Sequence, residues 1–87
     1  MALSPEVLLE HLKNLAAQLG IEVRCRAMDT PGGLCRVRGR RLILVNESLS
    51  AADKVELVAS ALPLEELECI HVPPAVREAV ERAHREQ

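Results

Sequence analysis

The sequence predicts an α+β fold: a helix, a three-stranded antiparallel sheet, then two to three helices, all within a single domain spanning residues 1–87. Three observations carry this expectation. Apolar residues recur at helical spacing near both ends of the chain, they alternate strictly in the stretch after residue 20, and Gly- and Pro-containing turns separate the runs. Eighty-seven residues are enough for one domain with a modest core.

The first helix is read from SPEVLLEHLKNLAAQLG. Ser4 is a good N-cap and Pro5 suits the first helical position. Leu8, Leu12, Leu15, Ala16 and Leu19 share one face, and Gly20 fits the position just past the end. Strand one, IEVRCRA, puts Ile21, Val23 and Cys25 on one side and Glu22, Arg24 and Arg26 on the other. The run MDTPGG that follows is turn chemistry. In strand two, LCRVR, Cys35 and Val37 share a face opposite Arg36 and Arg38. Pairing of the first two strands would place Cys25 beside Cys35 and cluster the four arginines. Gly39-Arg40 fits a two-residue hairpin turn with glycine first.

Strand three, RLILVN, is apolar on both faces, which places it centrally in the sheet or against a partner. The helices are expected mainly on the face carrying Val23, Cys25, Cys35 and Val37. Ser50 caps the next helix, with Asp53 near its positive end and Val55, Val58, Ala59 and Leu62 on its buried side. Pro63 interrupts that helix, so LEELE reads as a separate short turn. CIHV, residues 69–72, fits a short edge strand. Pro73-Pro74 open the last helix, whose apolar stripe is Val76, Ala79, Val80 and Ala83.

Composition narrows the function. The chain is 48% apolar yet has no Phe, Tyr or Trp. Without aromatic platforms it lacks the usual means of stacking bases or flat ligands, which argues against sequence-specific single-strand binding. The net charge is −2, but residues 21–41 hold six arginines against Glu22 and Asp29. Arg24, Arg26, Arg36, Arg38, Arg40 and Arg41 therefore form a candidate face for anions, nucleic acid or an acidic partner. Carboxylates such as Glu65, Glu66, Glu78 and Glu81 are the candidates to neutralise it from within. Leu42, Ile43, Leu44 and Val45 form a candidate interface, because two of the four must face away from the helices. A homo-oligomer or a partner protein is the expected cover.

Catalytic and metal chemistry find little support. Cys25, Cys35, Cys69 and His71 lack the paired spacing of a zinc site, and buried thiols commonly pack as small hydrophobes. His11 and His84 fall on polar helix faces, which leaves His71 as the histidine in a partly apolar setting. No nucleophile elbow or phosphate-binding loop occurs. No cofactor is expected. Three cysteines without a leader pattern fit a reducing, cytoplasmic setting, and no apolar window is long enough for a membrane span.

One longer run carries a resemblance. GGLCRVRGRRLILVNESLSAADKVELVASAL resembles the front half of the ImmA/IrrE-type zinc peptidase domain, in which a Gly-Arg hairpin and an apolar strand ending in Asn lead through Leu-Ser into an Ala-His-Glu-Leu-Gly-His helix. Gly39, Arg40, Asn46, Leu49, Ser50, Ala59 and Leu62 match. The positions of the two zinc histidines and the catalytic glutamate hold Ser60, Leu64 and Ala61, which cannot bind zinc or deprotonate its water. The resemblance thus implies a scaffold without its metal site. The Pro-Pro-Ala-Val-Arg start of the last helix is also similar to that of a family of small bacterial proteins. The expectation is a non-catalytic interaction or oligomerisation module, with anion or nucleic-acid binding through the arginine face as the alternative.

Overall fold

The structure, a computed structural model, describes residues 3–86. Its order is α1 (Pro5–Gln18), β1 (Ile21–Arg26), β2 (Gly32–Val37), β3 (Arg40–Asn46), α2 (Ala51–Ala61), a 3₁₀ segment (Leu64–Cys69) and α3 (Pro74–Arg85). The α+β class and the element order follow the sequence pattern. Local chemistry sets the helix ends. Ser4 Oγ accepts from Val7 N at 3.3 Å, and Ser50 Oγ accepts from Asp53 N at 3.1 Å. Gly20, at φ +75°, follows the Leu19 cap of α1 in a conformation that costs glycine little. Helix α2 stops at Ala61 ahead of Pro63.

The sheet is mixed, not antiparallel. Its order is β1-β3-β2, with β1 parallel and β2 antiparallel to the central β3. Parallel neighbours need a crossover of a dozen residues or so, and here β2 lies within that crossover. Residues 27–31 carry the chain past the end of β3, and Asn46 holds them there. Its Nδ2 donates to the carbonyls of Met28 (3.0 Å) and Thr30 (3.1 Å), while its Oδ1 accepts from Ser48 N (2.9 Å). Backbone bonds from Asn46 N to Pro31 O and from Glu47 N to Arg26 O, both 2.9 Å, close the same junction.

Two glycines let β2 seat on β3. At Gly32, φ is +117° and an added Cβ would lie 2.0 Å from the Leu44 carbonyl oxygen, so a side chain there would force the strands apart. At the other end the hairpin turns on Arg38-Gly39, with φ of +53° and +80°, rather than on Gly39-Arg40. Left-handed conformations at both central residues are what a type I′ turn demands. Arg38 pays a steric penalty that Asn or Gly would largely escape. The turn is steadied by Arg36 Nη1 donating to the Gly39 carbonyl at 3.4 Å.

The core lies between the sheet and the helices. Leu12, Leu15 and Ala16 from α1 meet Ile21, Ile43 and Val45 from the sheet, Val58, Ala59 and Leu62 from α2, and Val76, Val80 and Ala83 from α3. No polar side chain is buried among the described residues. Leu67 and Val72 bring the segment between α2 and α3 into the same core. Residues 69–72 do not form an edge strand. Cys69 ends the 3₁₀ segment, Ile70 is extended, and Val72 plugs into the core without pairing.

Candidate interaction face

Cross-strand partners share a face, so the register sorts every sheet residue. Ile21, Val23 and Cys25 lie with Arg41, Ile43 and Val45 and with Leu34 and Arg36 on the side of the helices. Glu22, Arg24 and Arg26 lie with Arg40, Leu42 and Leu44 and with Cys35 and Val37 on the outer side. The expected joint burial of Val23, Cys25, Cys35 and Val37 therefore fails for β2, and Cys25, though on the helix side, is exposed as well. Its apolar pair Cys35 and Val37 faces outward, and Cys25 and Cys35 are separated by β3 and by the thickness of the sheet. The reason is that β2 pairs with β3 and not with β1. At this edge neither side of β2 is well covered, since Leu34 and Val37 are 46% and 53% exposed.

The candidate interface divides in the same way. Ile43 and Val45 are fully buried in the chain's own core. Leu42 and Leu44 are half-buried and outside that core, and with Cys35 and Val37 they form an apolar strip on the outer face.

The six arginines are also split. Arg24, Arg26 and Arg40 belong to the outer face, Arg36 and Arg41 to the helix side, and Arg38 to the turn. Arg24 pairs with Glu22 along its own strand. Arg41 is half-buried, donating to the Glu66 carboxylate at 2.7 Å and to the Leu19 carbonyl. The hydrogen bond to Glu66 raises its already high pKa. Glu66 is the one carboxylate of the 3₁₀ segment and α3 found on this cluster, and among the described residues Arg26, Arg36, Arg38 and Arg40 make no ion pair. At the hairpin end Arg24, Arg38, Arg40 and Arg41 surround a half-open depression of about 380 Å³ whose floor is Val37 and Leu42.

The other candidates lie apart. Cys69 and His71 are exposed, and no group of three or more His, Cys, Asp or Glu suited to a metal occurs among the described residues. His84, expected in solvent, is half-buried and bonds the Leu62 carbonyl through Nε2 at 2.7 Å, capping the end of α2. Its four-residue spacing from Val80 places it on the apolar stripe, the signal that would have found it. Ser60, at the first zinc-ligand position of the resemblance, donates to the Leu57 carbonyl at 2.9 Å. Leu64, at the second, lies beyond Pro63 in the 3₁₀ segment, so one helix does not present both. Where α2 passes α3, hydrogen bonding to Glu86 and then burial raise the pKa of Glu56, while Arg82 opposes them.

The fold and this face define an α+β chain with one helix-covered and one open sheet surface. Comparison with protein-family models, curated proteins and solved structures finds no match. Among the described residues, no helix is long and apolar enough to cross a membrane.

Proposed function

We propose that the protein is a non-catalytic interaction module whose working surface is the outer face of the sheet. The observation that carries this reading is the apolar strip of Leu42, Leu44, Cys35 and Val37 edged by Arg24, Arg26 and Arg40. Three strands of six or seven residues offer about 300 Å² of face. Two such faces in contact would bury far less than the roughly 1,200 Å² of a stable dimer and would oppose like charges. A narrower occupant suits the face better: an amphipathic helix of a partner protein, apolar along its centre and acidic along its margins. The scaffold is similar to a zinc peptidase domain that has lost its metal site, a reading supported by the run from Gly39 to Leu62.

A photo-cross-linker placed at Val37 and, as a control, at Glu78 of α3 tests the proposal in cells. The expected result is one dominant protein captured from position 37 and not from position 78. The purified partner then binds the wild-type protein in a salt-sensitive manner and fails to bind the Leu42→Asp, Leu44→Asp variant. Equal capture at both positions, or a partner indifferent to the double change, overturns the reading. Self-association that strengthens with salt would instead assign the face to a second copy.

A further inference from the structure

We propose that the hairpin end of the outer face is a binding site for a small oligophosphate, such as an inorganic or organic di- or triphosphate. The site shares Val37, Leu42, Arg24 and Arg40 with the interaction face but is argued from a different feature, the depression at its hairpin end. Arg24, Arg38 and Arg40 line one depression on the outer face, against the single carboxylate of Glu22. Arg24 already has a partner in Glu22, and Arg41, which also lines the depression, sends its guanidinium to Glu66 and the Leu19 carbonyl on the helix side. Those contacts fix the walls. Arg38 and Arg40 make no ion pair among the described residues, and their donors remain available. Planar guanidinium forks bind phosphate oxygens in pairs, so two free forks fit a ligand with at least two phosphate groups better than a single orthophosphate. The depression has the volume of a small-ligand pocket, and Val37 and Leu42 give it an apolar floor.

The backbone supplies an independent argument. Arg38 occupies a left-handed position, φ +53°, in a turn whose chemistry favours Asn or Gly. Strained backbone positions cluster at functional sites, and this residue lines the depression. The proposal therefore makes a paired forecast that a purely structural arginine would not meet. Arg38→Asn should make the protein more stable and at the same time weaken oligophosphate binding.

Isothermal titration with sodium tripolyphosphate, pyrophosphate and orthophosphate at low salt tests it. Tripolyphosphate and pyrophosphate should bind at one site per chain, with orthophosphate much weaker. Arg38→Asn and Arg40→Gln should each weaken binding roughly tenfold or more. Arg36→Gln, on the opposite face, should leave it within about twofold of wild type, because exposed charges a sheet thickness away are largely screened. Amide NMR shifts on titration should centre on residues 22–24 and 37–42. The proposal is overturned if tripolyphosphate does not bind at low salt. It is equally overturned if Arg36→Gln weakens binding as much as Arg40→Gln, which would mean diffuse attraction without a site. Neither result bears on docking of a protein at Leu42 and Leu44, which the cross-linking experiment reads.

Discussion

The two faces of the sheet are built from alternate residues of the same strands, yet they have opposite characters. In β3, Ile43 and Val45 are fully buried on the side of α2, whereas Leu42 and Leu44, one position away, are only half-buried. On the helix side Arg41 is tied into the structure with both a carboxylate and a carbonyl on its guanidinium. The outer side has Arg26 and Arg40 without ion pairs among the described residues. A continuous apolar strand thus serves two purposes: one half of its side chains holds the fold, and the other half is left for something else to cover.

The sharpest test of this division is a pair of truncations in β3. Ile43→Ala should cost about 2–5 kcal/mol in urea unfolding, the range for a large buried aliphatic residue. Leu42→Ala should cost about 1 kcal/mol or less. Equal losses would erase the distinction between the faces. Next in size is Asn46→Ala, which removes three hydrogen bonds at the crossover loop. It should cost about 1–3 kcal/mol and raise proteolytic nicking in residues 27–31. A smaller effect of opposite sign is expected at the hairpin, where Arg38→Asn should stabilise by about 1 kcal/mol through relief of the left-handed arginine.

The smallest effect concerns pH and lies away from both faces. The pKa of Glu56 is raised in the folded state by its hydrogen bond to Glu86. A carboxyl raised on folding favours the fold while protonated. Its contribution is therefore complete below the ordinary glutamate range and is lost as pH rises through the folded value. Stability should fall slightly over that window. Glu56→Gln should flatten the slope and make the protein slightly more stable at neutral pH, as read from thermal midpoints between pH 4 and pH 7.

What the sequence disclosed follows the range of the forces involved. Helix caps depend on three or four neighbouring residues, and Ser4, Gly20 and Ser50 were readable for that reason. The double-sided apolar pattern of LILV pointed to the centre of the sheet or to a partner, and β3 is the central strand. Strand pairing is non-local, and nothing near Val23 announced that its neighbour would be Ile43 rather than a residue of β2. The alternation of β2 was visible, but both sides of an edge strand are partly wet, so the pattern did not say which side faced the helices. The turn falls one residue earlier than its sequence pattern predicts, because an arginine in a left-handed conformation runs against its steric preference. Arg41 is legible by parity, since odd-numbered residues of β3 lie on the helix side with Ile43 and Val45. The apolar half of the candidate site was therefore half readable, and the arginine cluster was divided by a register that only the folded chain reveals.

Cys35 offers the most direct measurement of the central claim, because its thiol lies on the outer face beside Leu42. In a Cys25→Ser background, the rate of Cys35 alkylation relative to exposed Cys69 can be compared between the purified protein and the cells that make it. The account predicts that Cys35 reacts readily in the purified protein, is protected in cells, and regains its reactivity there when Leu44 is changed to Asp. The same Cys35-to-Cys69 ratio in both settings would mean that the outer face stays uncovered, and would contradict the account.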